Sequence, residues 1–327
     1  MNSIFPWQEM QWQRLINQYR QNRLPHAILI TGKKGIGKFK FAENFSKLLL
    51  CENSSEKICE KCQSCQWIEA GTHPDKFIVG PEEESKIIKI DQIRQLSIAL
   101  SKKAQRENGY QVAIIHPADK MNVAAMNALL KTLEEPIGQV CLLLVTSIPQ
   151  QLPATVRSRC QQINIDLTKQ LAIEWLQSQL DRKDDIHSLL AMCNGAPLDA
   201  LKLATTESLV NQKLWLKQWL QLLRNELTPV SLANEWLQFN ITELLVWQLS
   251  VVMDLIRLQL GVEKQFLTYH YQSDLLQSIV LDVTLPALFQ LLDKILSAYQ
   301  AINSSFNLNH QLLLEQLLIT TYFSCVK

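Results

Sequence analysis

Gly32-Lys33-Lys34-Gly35-Ile36-Gly37-Lys38-Phe39 has the residue types and spacing to cradle a phosphate. The phosphate-loop pattern is G-x-x-x-x-G-K-[ST], and this stretch meets every position but the last. Gly32, Gly35 and Gly37 let backbone N–H groups close around phosphate oxygens, and Lys38 is placed to reach the β- and γ-phosphates. The hydroxyl that holds Mg²⁺ is missing, because Phe39 stands at the Ser/Thr position. A cradle kept and a metal ligand lost predict a relative of ATPases that no longer hydrolyses ATP.

A working site of this kind also needs an acidic pair at the end of a core strand, one acid for Mg²⁺ and one for the attacking water. Here the apolar run Val112–Ile115 leads into His116-Pro117, and neither residue is acidic. Asp119 follows three residues later and is expected to cap the next helix rather than to hold metal. Val145-Thr146-Ser147 ends another apolar run on two polar side chains. Metal-handling groups are lost at two separate places, Phe39 and His116-Pro117, which argues against an accident at one position.

Cys51, Cys59, Cys62 and Cys65 follow the pattern C-x7-C-x2-C-x2-C. Four soft ligands in one short polar loop suit a tetrahedral Zn²⁺, and four thiolates leave no position open to water, so the role is structural. An iron–sulfur cluster is the chemical runner-up. The knuckle sets Lys57, Lys61 and Trp67 against Glu52, Glu56 and Glu60, a poor composition for gripping nucleic acid. Cys141, Cys160, Cys193 and Cys325 are scattered and read as buried thiols.

The elements that position these residues follow from the apolar pattern. Ala27–Thr31 is a short apolar run before the glycine loop, and from Lys38 the side chains of Phe41, Phe45, Leu48 and Leu49 recur on one helical face. Further strands are expected at Phe77–Val79, Val112–Ile115 and Leu142–Thr146, with a helix from about Asn122 to Glu134, ended by Pro136 and Gly138. Strands alternating with helices predict a parallel sheet covered on both faces. Past residue 206 the composition shifts: eight of the nine glycines lie at or before Gly195. The remainder, rich in Leu, Gln and Trp, reads as amphipathic helices with Trp215, Trp219, Trp236 and Trp247 in their core. Three segments are expected: 1–166, an α/β domain with a zinc module at 51–65; 167–206, a small helical domain; and 207–327, an all-α domain. A length of 327 residues accommodates them, and 47% hydrophobic residues supply their cores. A net charge of +1 points to no global affinity for nucleic acid, so Lys102, Lys103 and Arg106 read as a solvated basic face. No secretory signal pattern and no membrane-length apolar run is present, and a cytoplasmic location is expected.

Several segments together resemble the delta-prime family of bacterial DNA polymerase III clamp-loader subunits, within AAA+ proteins. They are Pro6-Trp7, Leu24-Pro25-His26-Ala27, Gly71-Thr72-His73-Pro74-Asp75, the run Asn127-Ala128-Leu129-Leu130-Lys131-Thr132-Leu133-Glu134-Glu135-Pro136, and Arg157-Ser158-Arg159-Cys160. The C-terminal third resembles it loosely, through helical composition and Asn307-Leu308-Asn309. The resemblance implies an AAA+ P-loop-type α/β domain with a zinc knuckle, a helical lid and a C-terminal helical collar. It implies a hetero-oligomeric ring with delta and gamma/tau subunits that loads the sliding clamp on primer-template DNA. It also gives Arg159, flanked by Ser158 and Cys160, the role of an arginine finger entering the neighbouring gamma/tau ATP site. A guanidinium suits that role, being always charged and planar. Gly195-Ala196-Pro197-Leu198-Asp199 resembles the lid motif in which hydrolysing relatives carry an arginine before the aspartate; Leu198 stands there instead. Two other readings are an active gamma/tau-type ATPase, opposed by Phe39, His116-Pro117 and Leu198, and a zinc-dependent DNA-binding protein, opposed by the charge balance of the knuckle.

Overall fold

The computed structural model describes residues 4–53, 58–82, 85–107, 109–180, 186–205, 208–270, 273–281, 283–302 and 309–325. Glu56 and Lys57 of the knuckle, and Asn307 and Leu308, lie outside the described residues. The chain forms two compact units, Met1–Trp175 and Leu176–Lys327.

In the first unit, β1 (Ala27–Thr31), β2 (Lys76–Val79), β3 (Gln111–Ile115), β4 (Val140–Val145) and β5 (Gln161–Asn164) form one sheet in the order β2-β3-β4-β1-β5. Every pairing is parallel. β1, β3 and β4 are buried at every residue, as continuous apolar runs in a two-sided parallel sheet must be. Because the strands are parallel, the residues that follow β1, β3 and β4 emerge along one edge of the sheet. Gly32, His116 and Thr146 therefore meet there, at the carboxyl ends of strands where open α/β sheets bind ligands.

The helices of this unit are α1 (Glu9–Arg20), α2 (Lys38–Leu50), α3 (Gln63–Glu69), α4 (Ile90–Leu100), α5 (Val123–Glu134) and α6 (Ala154–Arg157), followed by α7 (Lys169–Gln179). On α2, Phe41, Phe45 and Leu48 are fully buried. Trp12 of α1 meets the rings of Phe41 and Phe45 edge-on at 5.7 and 5.9 Å, a favoured aromatic arrangement. Fully burying such a side chain contributes roughly 1.5–3 kcal/mol, which fixes α2 against the sheet and so fixes the glycine loop at its start. Asn122 caps α5, its side-chain oxygen accepting from the Ala125 N–H at 2.8 Å. The cap expected of Asp119 is thus made by Asn122; Asp119 sits in a short 3-10 turn and turns its carboxylate elsewhere.

The second unit is helical: α8 (Ile186–Met192), α9 (Pro197–Thr205), α10 (Ser208–Leu223), α11 (Pro229–Trp236), α12 (Ile241–Gln259), α13 (Ser273–Val280), α14 (Leu285–Ile302) and α15 (His310–Cys325). Trp215, Trp219, Trp236 and Trp247 are all buried in its core. Trp215 lies 5.8 to 6.3 Å from each of the other three rings. Asp254 on α12 is fully buried and accepts the N–H groups of Thr268 and Tyr269 at 3.1 and 2.8 Å, with Arg257 paired at 2.9 Å. A buried carboxylate satisfied in this way pins the loop after α12 to the helix.

Candidate functional site

The glycine loop joins β1 to α2 with Gly32, Gly35 and Gly37 at φ of +141°, +74° and +80°. A Cβ at Gly32 would lie 2.5 Å from the Ile165 carbonyl oxygen, so only glycine fits there. Two residues before α1 brace the loop from outside. The Trp7 indole N–H donates to the Ile36 carbonyl at 2.9 Å, and the Gln8 amide donates to the Ile36 and Gly37 carbonyls at 3.1 Å each. Trp7 in turn stacks on Phe5 at 5.0 Å and meets Trp175 edge-on at 5.4 Å. Pro6-Trp7 was legible as a motif; its grip on the loop carbonyls was not, because the contact spans about 29 residues of sequence.

Lys38 is 5% exposed. Its ammonium donates to the Lys33 carbonyl at 2.5 Å and to the Ser147 hydroxyl at 2.9 Å. The lysine thus folds over its own loop. Of the polar pair after β4, Ser147 meets Lys38, whereas Thr146 donates to the Asp119 carboxylate at 2.5 Å and accepts the Ile148 N–H at 3.0 Å.

The two positions expected to lack metal-handling groups, Phe39 and His116, touch. The rings of Phe39 and His116 stack at 4.9 Å with an interplanar angle of 25°. The His116 Nδ1 is enclosed without a hydrogen-bond partner. Burial pushes the His116 pKa below the usual histidine value; Lys38 adds to this, while the Val145 backbone and Asp119 pull the other way. A neutral imidazole is thus stacked on the Phe39 ring. Leu198 lies half-buried in the first turn of α9.

Arg159 follows α6, on the first unit. Its backbone is fixed by Ser158 N–H to Ala154 O at 2.9 Å and Arg159 N–H to Val156 O at 3.2 Å, and Cys160 is buried in the core with Val156 and Leu133. The guanidinium is exposed. One terminal nitrogen pairs with Glu134 at 2.6 Å and the other donates to the Thr155 carbonyl at 2.9 Å. Ser158 is exposed; Arg157 is half-buried, its Nε enclosed without a hydrogen-bond partner.

Cys51, Cys59, Cys62 and Cys65 bring their sulfur atoms within 4.8 Å of one another. The Cys59–Cys65 separation is 3.9 Å. A tetrahedral ion with metal–sulfur bonds of about 2.3 Å has sulfur–sulfur edges of about 3.8 Å, so the donor set fits zinc. Cys51 ends α2, and Cys62 caps α3. The N–H groups of Cys59, Cys62 and Cys65 donate to the sulfurs of Cys51, Cys59 and Cys62 at 3.4 Å each, dipoles aimed to favour thiolate. Backbone N–H groups of Lys61 and Cys62 lower the Cys59 pKa to about 6, whereas burial raises Cys51 and Cys65. Below the knuckle, the His73 Nδ1 accepts the Asp75 N–H at 3.0 Å and leaves Nε2–H to donate to the Ser64 hydroxyl at 2.9 Å. Thr72-His73-Pro74-Asp75 thus ties α3 to the start of β2. Of the other cysteines, Cys141 and Cys160 are buried and Cys193 is half-buried. Lys102, Lys103 and Arg106 are exposed, and Arg106 reaches the Glu52 carbonyl at 3.4 Å.

The family described as DNA polymerase III, delta subunit, matches residues 7–169, and its C-terminal counterpart matches residues 214–321. The DNA polymerase III subunit delta' of Pseudomonas aeruginosa is 33% identical over 323 residues, 98% of this chain and 97% of the relative. The chain belongs to the DNA polymerase III delta-prime family. The delta-prime subunit of Bacillus subtilis is 31% identical over 93% of both chains. That of Escherichia coli is 34% identical over 61% of this chain and 60% of its own length. Among solved structures, a DNA polymerase III gamma subunit-related protein from Thermotoga maritima is similar over 95% of this chain and 99% of its own, with 17% identity and a TM-score of 0.44. Among the described residues, no helix of this family member is long and apolar enough to cross a membrane.

Proposed function

We propose that this chain is a non-hydrolysing subunit of a bacterial DNA polymerase III clamp loader. It assembles with delta and the gamma/tau ATPases in a hetero-oligomeric ring, places Arg159 in the adjacent gamma/tau ATP site, and supports ATP-driven loading of the sliding clamp on primed DNA. The stack of Phe39 on His116 carries the reading. Neither ring can hold Mg²⁺, and Lys38 is engaged with Lys33 and Ser147. A site without its metal lacks the charge neutralisation and water activation that phosphoryl transfer needs. Arg159, by contrast, is exposed on a rigid backbone, and a guanidinium there can act on a site that belongs to another subunit.

In this reading residues 1–166 are the AAA+ core, 167–206 the lid and 207–327 the collar. The four thiolates hold zinc, which closes its coordination sphere and acts structurally by clamping the end of α2 to α3. The test is reconstitution with purified delta and gamma/tau, followed by ATPase and clamp-loading assays. The complex should load clamps only with this chain present. Loading at the full rate without it would overturn the proposal.

A further inference from the structure

Glu134 and Arg159 come from the two most specific motifs of the chain, and the fold explains why they meet. Leu133, at the end of α5, and Cys160, just after α6, are buried in the same hydrophobic core. The residue after the first and the residue before the second are thereby brought to the surface side by side. Their charges pair at 2.6 Å, with the side chains 50% and 37% exposed. The second terminal nitrogen of Arg159 lies on the Thr155 carbonyl, one helical turn back on its own chain. Both ends of the guanidinium fork are therefore turned onto the subunit that carries it. A side chain that acts in trans must project from that surface, so this posture is one the arginine has to leave.

We infer that Glu134 is a positioning residue that parks Arg159 on its own subunit and sets how readily the guanidinium transfers to a neighbouring subunit's ATP. The inference rests on the arginine-finger reading proposed above. The exposed pair is weak: such pairs contribute little in water and are screened by salt. That weakness is what a parking position requires. A nucleotide triphosphate offers several negative charges to the same fork and displaces one carboxylate without a large penalty. Taking ATP to be held tightly only with the finger engaged, Glu134 lowers apparent ATP affinity by the fraction of arginines held back, while at saturating ATP every finger has transferred and turnover changes little.

The test uses the reconstituted complex with Glu134→Gln, Arg159→Ala and the double variant in this chain. Glutamine keeps the shape and removes the charge, and since both partners are exposed the substitution leaves the core intact. Half-saturating ATP at the site that Arg159 serves should fall by about twofold to fivefold in Glu134→Gln, the range an exposed ion pair can hold back, with a smaller fall in the summed ATPase because one of several sites is affected. The fall should shrink as salt is raised and should vanish in the Arg159→Ala background. If Arg159→Ala lowers turnover but Glu134→Gln leaves half-saturation unchanged or raises it, the parking role is wrong and the finger stands. If the Glu134→Gln shift persists without Arg159, the carboxylate acts on something else and the inference fails. If Arg159→Ala itself has no effect, the finger and the parking role both fail.

Discussion

In the proposed function Phe39 and His116 stand where a hydroxyl and an acid would hold Mg²⁺, and their rings stack on one another. Restoring the hydroxyl alone, in Phe39→Thr, removes the ring from the stack without supplying the missing acid; we expect no ATP turnover from that variant in a phosphate-release assay. His116 also has a pH signature. Burial holds its folded pKa below the ordinary 6.5, so the unfolded chain binds more protons as pH falls past that value. The group's contribution is therefore full above about pH 6.5 and is lost towards the lower folded pKa. Phenylalanine at 116 keeps a ring on Phe39 and cannot take up a proton. The thermal midpoint of His116→Phe, compared with wild type from pH 7.5 to 5.5, should gain on wild type as the solution becomes more acid. At Arg159, alanine should leave the chain folded and the complex assembled, yet lower its ATPase. Arginine fingers contribute about 10³–10⁵ in rate in GTPases, and the loss in total ATPase is expected to be smaller because one of several sites is affected. Lysine should rescue poorly, since it lacks the planar fork. Arg157 is an imperfect control: it is half-buried with an enclosed Nε, so its truncation should show as lost thermal stability before it shows as lost ATPase.

Elements with strong local signals were legible in the sequence, and elements held by distant partners were not. The runs that became β1, β3 and β4 are apolar throughout because both faces are covered. β5, with Gln161, Gln162 and Asn164, has no such run; it is a strand because its backbone pairs with β1. The loop glycines, Lys38 and the four knuckle cysteines were legible for a related reason: each motif is local and its chemistry constrains residue type. Gln8 was missed, and the partners of Ser147 and Glu134, two residues named only as parts of motifs, were not legible, since each acts through one contact with a residue far along the chain. The knuckle is the element whose stability depends most on its ion. Removing zinc with a chelator, or substituting Cys62→Ser, should raise amide exchange in α3 and the end of α2 while β1, β3 and β4 keep their protection, because the sheet has its own core. In the second unit, Leu312, Ile319 and Phe323 lie on one face of α15 and are 62%, 40% and 76% exposed. A stripe of that size on a proposed collar should be covered in the assembled ring. Ile319→Ser with Phe323→Ser should preserve helicity by circular dichroism and remove the chain from the complex in gel filtration.

For the molecule as a whole, the proposed function divides labour between its parts: a loop that no longer handles metal, a knuckle that stiffens, a helical unit for assembly, and one arginine that works outside its own chain. That division requires that the chain's own loop turn over no ATP. The most direct measurement is a single-turnover assay with the isolated chain in excess over γ-labelled ATP and Mg²⁺, with a Lys38→Ala variant purified in parallel. We expect no phosphate release above buffer from either protein. Mg²⁺-dependent release by the wild-type chain that is lost in Lys38→Ala would show a working site behind Phe39 and His116, and would contradict the proposed function.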